Sequence, residues 1–168
     1  GTKVYSCGPW CQGPMLLQIM QLLEGRDLKG MGHNSAPYIH HVTEAVKLAV
    51  ADRERWYGDP RFTDVPMQWL LSDDYAAQRR AMIDPNKAWP EMPPSGDPDA
   101  TRPVASPTPL EALDTSYACA IDAKGNIFSA TPSDTSSDAP VIPGLGFVPS
   151  SRGSQSRPDP DPPSSILP

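Results

Sequence analysis

Thr115 offers the most specific chemistry in the chain. It follows a proline-rich stretch, stands beside Ser116 and opens a strand-like run from Thr115 to Ile121. A threonine made N-terminal by a chain break is a nucleophile whose own free α-amine serves as the base that activates the hydroxyl. The same hydroxyl can first attack the carbonyl of Asp114 and so cut the chain itself. That sequence of events needs a mobile upstream segment, and residues 90–113 carry seven prolines. By position alone, however, the same threonine reads as an ordinary strand residue.

Other constellations lead less far. His33, His40 and His41 with Cys7 and Cys11 fit no compact zinc-ligand spacing. No metal and no cofactor is expected, and the histidines read as solvent-facing groups near a helix start. Cys7-Gly8-Pro9-Trp10-Cys11 has one residue more than the C-x-x-C of a thioredoxin-type redox loop. It reads instead as a tight loop feeding the helix that follows. Asp52, Glu54, Asp59 and Asp64 form a carboxylate-rich region, but Asp52-Arg53-Glu54-Arg55 reads as exposed or interface ion pairs of modest energy.

The elements that must position these groups divide the chain in two. Residues 3–6 read as a short strand. Apolar residues at 15, 16, 19, 20, 22 and 23 have helical periodicity with a wide apolar face, so a well-buried helix is expected up to Glu24, with Gly25 as its stop. Ser35 is a good N-cap, and Pro37 is tolerated in the first turn. A long helix then runs to about Tyr57, before Gly58-Asp59-Pro60. A helical turn is expected from Pro66 to Leu71. Ser72 caps a further helix, Asp73 to Ile83, whose acidic start and Arg79-Arg80 suit the helix dipole. Residues 90–113 read as a linker or exposed loop, not a packed element. A hairpin follows, with Asp122-Ala123-Lys124-Gly125-Asn126 as its turn and the returning strand from Ile127 to Thr131. The fold class is therefore α+β, mainly helical to residue 89, then a loop and a β-hairpin.

Charge and proline follow the same division. Residues 1–89 hold 6 prolines and 10 charges of each sign, whereas residues 90–168 hold 16 prolines, 4 basic and 10 acidic residues. The resulting net charge of −6 argues against a nucleic-acid partner. No apolar run is long enough to span a membrane as a helix, and residues 1–20 lack the pattern of a signal peptide. Three cysteines are too few for a disulfide scaffold. The length suggests about one domain.

Short motifs then combine into a resemblance. Ala51-Asp52-Arg53 with Gly58-Asp59-Pro60-Arg61-Phe62 resembles the "ADR…GDP.F" signature of the γ-glutamyltransferase family. Leu17 to Gly25 resembles its "LQIL..LEG", and Thr115-Ser116-Tyr117 with Ile121 to Asn126 resembles the "TTH…VVD.DGN" that opens its small subunit. The resemblance runs continuously over residues 1–131 and weakly beyond. It implies a precursor of an N-terminal-nucleophile hydrolase, an α/β/β/α sandwich in its complete form. Residues 1–89 would be the C-terminal helical part of the large-subunit region, 90–114 a processing linker, and 115–168 the start of the small subunit. Autocleavage would fall between Asp114 and Thr115. Thr115 would be the nucleophile, and Ser133 the second hydroxyl that hydrogen-bonds it. The implied reaction is transfer of a γ-glutamyl or related acyl group, from an amide such as glutathione, to water or an amine. An oxyanion hole should stabilise the tetrahedral intermediate.

Departures from the family pattern bear on the substrate. Thr135 stands where the family usually has asparagine. The segment that holds the substrate's α-amino group aligns with Ser150 to Gln155, so Arg152 and Gln155 replace its anchors. Arginine cannot accept a hydrogen bond from an ammonium group. A carboxylate-bearing or acyl-side variant substrate is then implied, as in acylase-like relatives. Cys119, at a small-residue strand position, is expected to be buried. By family standards a large-subunit segment would precede Gly1 and further small-subunit elements would follow Pro168. These remaining segments are the expected partners, and 168 residues in isolation are expected to have little or no activity. The resemblance suggests bacterial periplasm or cytoplasm. From a different class, the chain also reads as a non-catalytic helical interaction module with a disordered acidic tail.

Overall fold

A computed structural model of the protein describes residues 3–98, 117–131 and 140–149. These fall into two units, residues 3–98 in one and 117–131 with 140–149 in the other. The length alone suggested one domain.

The first unit is helical. Its elements are α1 (Gly13–Leu23), α2 (Leu28–Met31), α3 (Ala36–Trp56), α4 (Met67–Leu70) and α5 (Asp73–Arg80). The two serine caps are formed as expected. Ser35 Oγ accepts from the Tyr38 amide at 3.3 Å, and Ser72 Oγ from the Tyr75 amide at 3.2 Å. Each satisfies an amide that has no partner inside its own helix. Asp73 and Asp74 lie in the first turn of α5 and Arg79 and Arg80 in its last, as the helix dipole favours.

Helix α3 is the spine. Its buried residues His41, Ala45, Leu48, Asp52 and Trp56 recur at three- and four-residue steps. Ala45 and Leu48 pack with Leu22 and Ile83. Trp56 and Tyr57 pack with Leu70 and Tyr75. Ring contacts reinforce the second cluster, Trp69 lying 4.0 Å from Tyr75 and 6.3 Å from Trp56 between centroids.

Several expectations are corrected. Residues 3–6 form no strand. The apolar face of α1 is only partly covered, with Leu16 and Met20 each 47% exposed, while the polar Gln18 is buried. Helix α2 was not anticipated. It is a single turn whose start is capped by Asp27, which accepts from the Gly30 amide at 2.8 Å. Helix α5 stops at Arg80, and a turn carries the chain to Ile83.

The second unit holds one antiparallel hairpin, β1 (Ala118–Ile121) and β2 (Ile127–Ala130), with Ala118 opposite Ala130 and Ile121 opposite Ile127. With the helices it makes the described chain α+β. The turn is built on Asp122. Its carboxylate accepts from the Lys124 and Asn126 amides, both at 2.9 Å, and from Asn126 Nδ2 at 2.7 Å. Those bonds, led by the Asn126 side chain, hold the Asp122 carboxyl below the usual range. Gly125 has φ +83°, where a side chain would be strained. Cys119 is exposed, not buried. Residues 142–147 close a separate turn, the Ile142 amide donating to the Phe147 carbonyl at 3.0 Å.

Candidate functional site

Asp114, Thr115, Ser133, Thr135, Arg152 and Gln155 all lie outside the described residues. The hairpin begins three positions after Thr115, and Ser129 Oγ there donates to the Tyr117 hydroxyl at 3.2 Å. The best-organised polar cluster among the described residues stands elsewhere, in the helical unit.

That cluster centres on Asp52. Its period along α3 is that of the buried stripe, four residues after Leu48 and four before Trp56, so the carboxylate points into the core. Both oxygens are saturated. Oδ1 accepts from Arg79 Nη2 at 3.0 Å and from the Gly96 amide at 2.9 Å. Oδ2 accepts from the Tyr75 hydroxyl at 2.8 Å and from Gln18 Nε2 at 3.2 Å. Gln18 Oε1 in turn accepts from the Tyr57 hydroxyl at 2.6 Å. Burial pushes the Asp52 carboxyl up, and the Arg79 charge, the Gly96 amide and the two side-chain donors oppose it. The same burial, with the Asp52 charge, pushes the Tyr57 and Tyr75 hydroxyls up. The sequence reading of Asp52 as an exposed or interface ion pair is therefore corrected, since its ion pair with Arg79 is buried on both sides. The position of Asp52 in the stripe was the signal that could have shown this.

Beside the cluster is a cavity of about 10 Å³, lined in part by Gln18, Gln21, Asp52, Tyr75 and Arg79. That is room for about one water molecule and no more. Chemically, a saturated carboxylate with no space for a substrate is an anchor, and what it anchors is the segment before residue 99. Arg79 Nη1 donates to the Pro94 carbonyl at 2.8 Å, and Trp56 Nε1 to that of Gly96 at 2.9 Å. Arg55 pairs with Asp97 at 2.6 Å. Gly96 lies so close to Tyr75 that a methyl group there would overlap the ring hydroxyl.

The same segment is held further upstream. Glu44, almost wholly buried, accepts from Lys47 at 2.8 Å and from the Trp89 amide at 3.0 Å, and Lys47 also donates to the Trp89 carbonyl at 2.7 Å. Burial raises the Glu44 carboxyl, but the Lys47 and Trp89 bonds and the nearby charges outweigh it and leave it lowered. Residues 90–98 are thus strapped to the helices, against the expectation of an unpacked loop.

The remaining candidates are dispersed. Asp59 chelates Arg61 at the surface, and Arg53 pairs with Glu54. His33 is exposed, but His41 is buried, with Nδ1 2.9 Å from the Pro37 carbonyl, and His40 Nε2 lies 2.7 Å from that of Asp84. Among the described residues no three metal-ligating side chains converge, and no helix is long and apolar enough to cross a membrane.

Comparison with known proteins gives this geometry a context. Residues 1–161 match the family described as gamma-glutamyltranspeptidase. The glutathione hydrolase proenzyme of Pseudomonas sp. (strain A14) is 36% identical over 132 residues, 78% of this chain and 21% of that protein. The glutathione hydrolase proenzyme of Escherichia coli (strain K12) is also 36% identical, with the same two coverages. The acylase ACY 1 proenzyme of Pseudomonas sp. (strain SE83) is 32% identical over 144 residues, 83% of this chain and 23% of that protein. Among solved structures, Helicobacter pylori gamma-glutamyltranspeptidase superposes with a TM-score of 0.53 at 33% identity, covering 56% of this chain and 28% of that one. The chain spans about a fifth of the length of the curated relatives it matches. With the family match running through nearly its whole length, the chain belongs to the gamma-glutamyltranspeptidase family.

Proposed function

We propose that this chain spans the subunit junction of a self-processing amidohydrolase. Residues 1–89 belong to the end of the large subunit, 90–114 to the processing linker and 115–168 to the start of the small subunit. In the complete protein these pieces join an α/β/β/α sandwich. The Thr115 hydroxyl attacks the Asp114 carbonyl, the peptide becomes an ester, and water releases Thr115 with a free α-amine. Thr115, hydrogen-bonded by Ser133, then takes the acyl group from an amide, and water or an amine accepts it. Thr135, Arg152 and Gln155 are the assigned substrate-binding residues.

The observation that carries this reading is that the family match, residues 1–161, includes positions 114 and 115, while the relatives are named as proenzymes. Glutathione hydrolases and acylases stand among them at similar identity. The cationic Arg152 favours the acylase-like branch, in which the donor's acyl side carries a carboxylate in place of an ammonium group.

Electrophoresis and N-terminal sequencing of the whole protein test it. Two chains are expected, the smaller beginning Thr115-Ser116-Tyr117, and Thr115→Ala leaves one chain. A single intact chain, or a break elsewhere, overturns the assignment and favours a non-catalytic helical module. Rates on γ-glutamyl anilides and on glutaryl amides then separate the two substrate classes.

A further inference from the structure

The Cys7–Cys11 loop belongs to neither the Asp52 cluster nor the proposed reaction. Its fold is a tight turn with a thiol at each end. The Cys11 amide donates to the Gly8 carbonyl at 3.2 Å, and Cys11 Sγ donates to the same oxygen at 3.4 Å. This turn brings position 11 back towards position 7. The backbone of Cys7 in turn lies against Gly13 so closely that a side chain at 13 would overlap it. The space beside Gly8 is filled by the Trp10 ring. Between these constraints Cys7 and Cys11 bracket a single tight turn, with the Cys7 backbone folded back against the start of the helix that follows Cys11. Both are free, Cys7 exposed and Cys11 half-buried.

We infer that Cys7 and Cys11 form an oxidisable pair that closes to an intrachain disulfide by exchange with a small disulfide such as oxidised glutathione. The exposed Cys7 thiolate attacks one sulfur of the small disulfide. That S–S bond breaks, one small thiolate leaves, and a mixed disulfide remains on Cys7. Cys11 then loses its proton and attacks Cys7 Sγ, expelling the second small thiolate. Two protein thiols have lost two electrons and two protons, and the small disulfide has become two thiols. The division of roles follows from burial, which pushes the Cys11 thiol up and keeps it protonated until its neighbour is modified. This differs from thioredoxin-type catalysis, because the pair changes its own covalent state and turns over no substrate.

The test is a titration of the whole protein in glutathione redox buffers, followed by acid quench, alkylation and mass spectrometry of tryptic peptides. Cys7 and Cys11 fall in one peptide, residues 4–26, and Cys119 supplies a comparison thiol. As the buffer becomes oxidising, peptide 4–26 should lose both alkyl tags together, with no glutathione adduct accumulating. Cys11→Ser should trap that adduct on Cys7 at a level at least tenfold above the unsubstituted protein. Equal adduct on Cys7 in both proteins would overturn the inference. So would two thiols that stay fully alkylated when Cys119 has already reacted.

Discussion

Replacing Asp52 by asparagine changes one atom and should still unfold much of the protein's margin. Each carboxylate oxygen accepts two donors, Arg79 and the Gly96 amide on Oδ1, Tyr75 and Gln18 on Oδ2. An amide offers one oxygen and one nitrogen, so in either flip its NH2 group confronts two donors. Gln18 could turn its amide towards that group only if the Tyr57 hydroxyl, which now donates to Gln18 Oε1, became the acceptor instead. The substitution also leaves the Arg79 guanidinium, whose side chain is only 5% exposed, without its counter-charge. Breaking a buried pair from one side costs about 3–5 kcal/mol. With a urea dependence of about 2 kcal/mol/M, the unfolding midpoint should fall by about 2 M. Tryptophan fluorescence reports it, since Trp56 and Trp69 sit against the cluster. Tyr57→Phe, which removes a single bond to Gln18, should cost about 1 kcal/mol. Asp52→Leu with Arg79→Met should not recover the loss, although no charge is then stranded, because the Gly96 amide, the Tyr75 hydroxyl and the Gln18 amide are left without their acceptor. An Asp52→Asn stability within about 0.5 kcal/mol of the parent would refute the account of a saturated anchor.

Gly96→Ala should cost about 1–3 kcal/mol, read by thermal unfolding, because the new methyl must displace Tyr75. Tyr75→Phe should not rescue it, since the ring carbon bearing the hydroxyl is itself 2.6 Å from the methyl position. Glu44 supplies an acid-side prediction. Its folded carboxyl titrates below its ordinary value of 4.5, so its contribution is complete above that pH and is lost as pH falls through the lower folded value. The stability gap between the parent and Glu44→Gln, about 2 kcal/mol at neutral pH, should therefore shrink as the pH falls below 4.5. A gap that is constant with pH would refute it.

Local signals were legible and distant ones were not. Ser35 and Ser72 announce their helices because a cap acts within three residues. The hairpin turn is equally local, since Asp122 and Gly125 supply the carboxylate and the positive φ it needs. The Asp52 cluster draws Arg79 and Gly96 from 27 and 44 residues away, and no periodicity encodes such pairings. Proline density misled at residues 90–98 for a related reason. Prolines withhold their own amides, but Pro94 and Gly96 still offer carbonyls, and these are what Arg79 and Trp56 bind. The serine, threonine and arginine positions of the proposed reaction were identified by family pattern alone.

The hairpin carries a consequence for handling the protein. Ile121, Ile127, Tyr117 and Cys119 point to one side and Phe128 with three alanines to the other, and all but Ala130 are exposed. Among the described residues the two strands pair only with each other, so the outer edge of each has no strand partner there. Two sticky faces and two open edges make this the place where copies would zip together first. Self-association of this chain should then rise with concentration. A lysine at position 127, set in the outermost rung, is the smallest change that would slow that self-association.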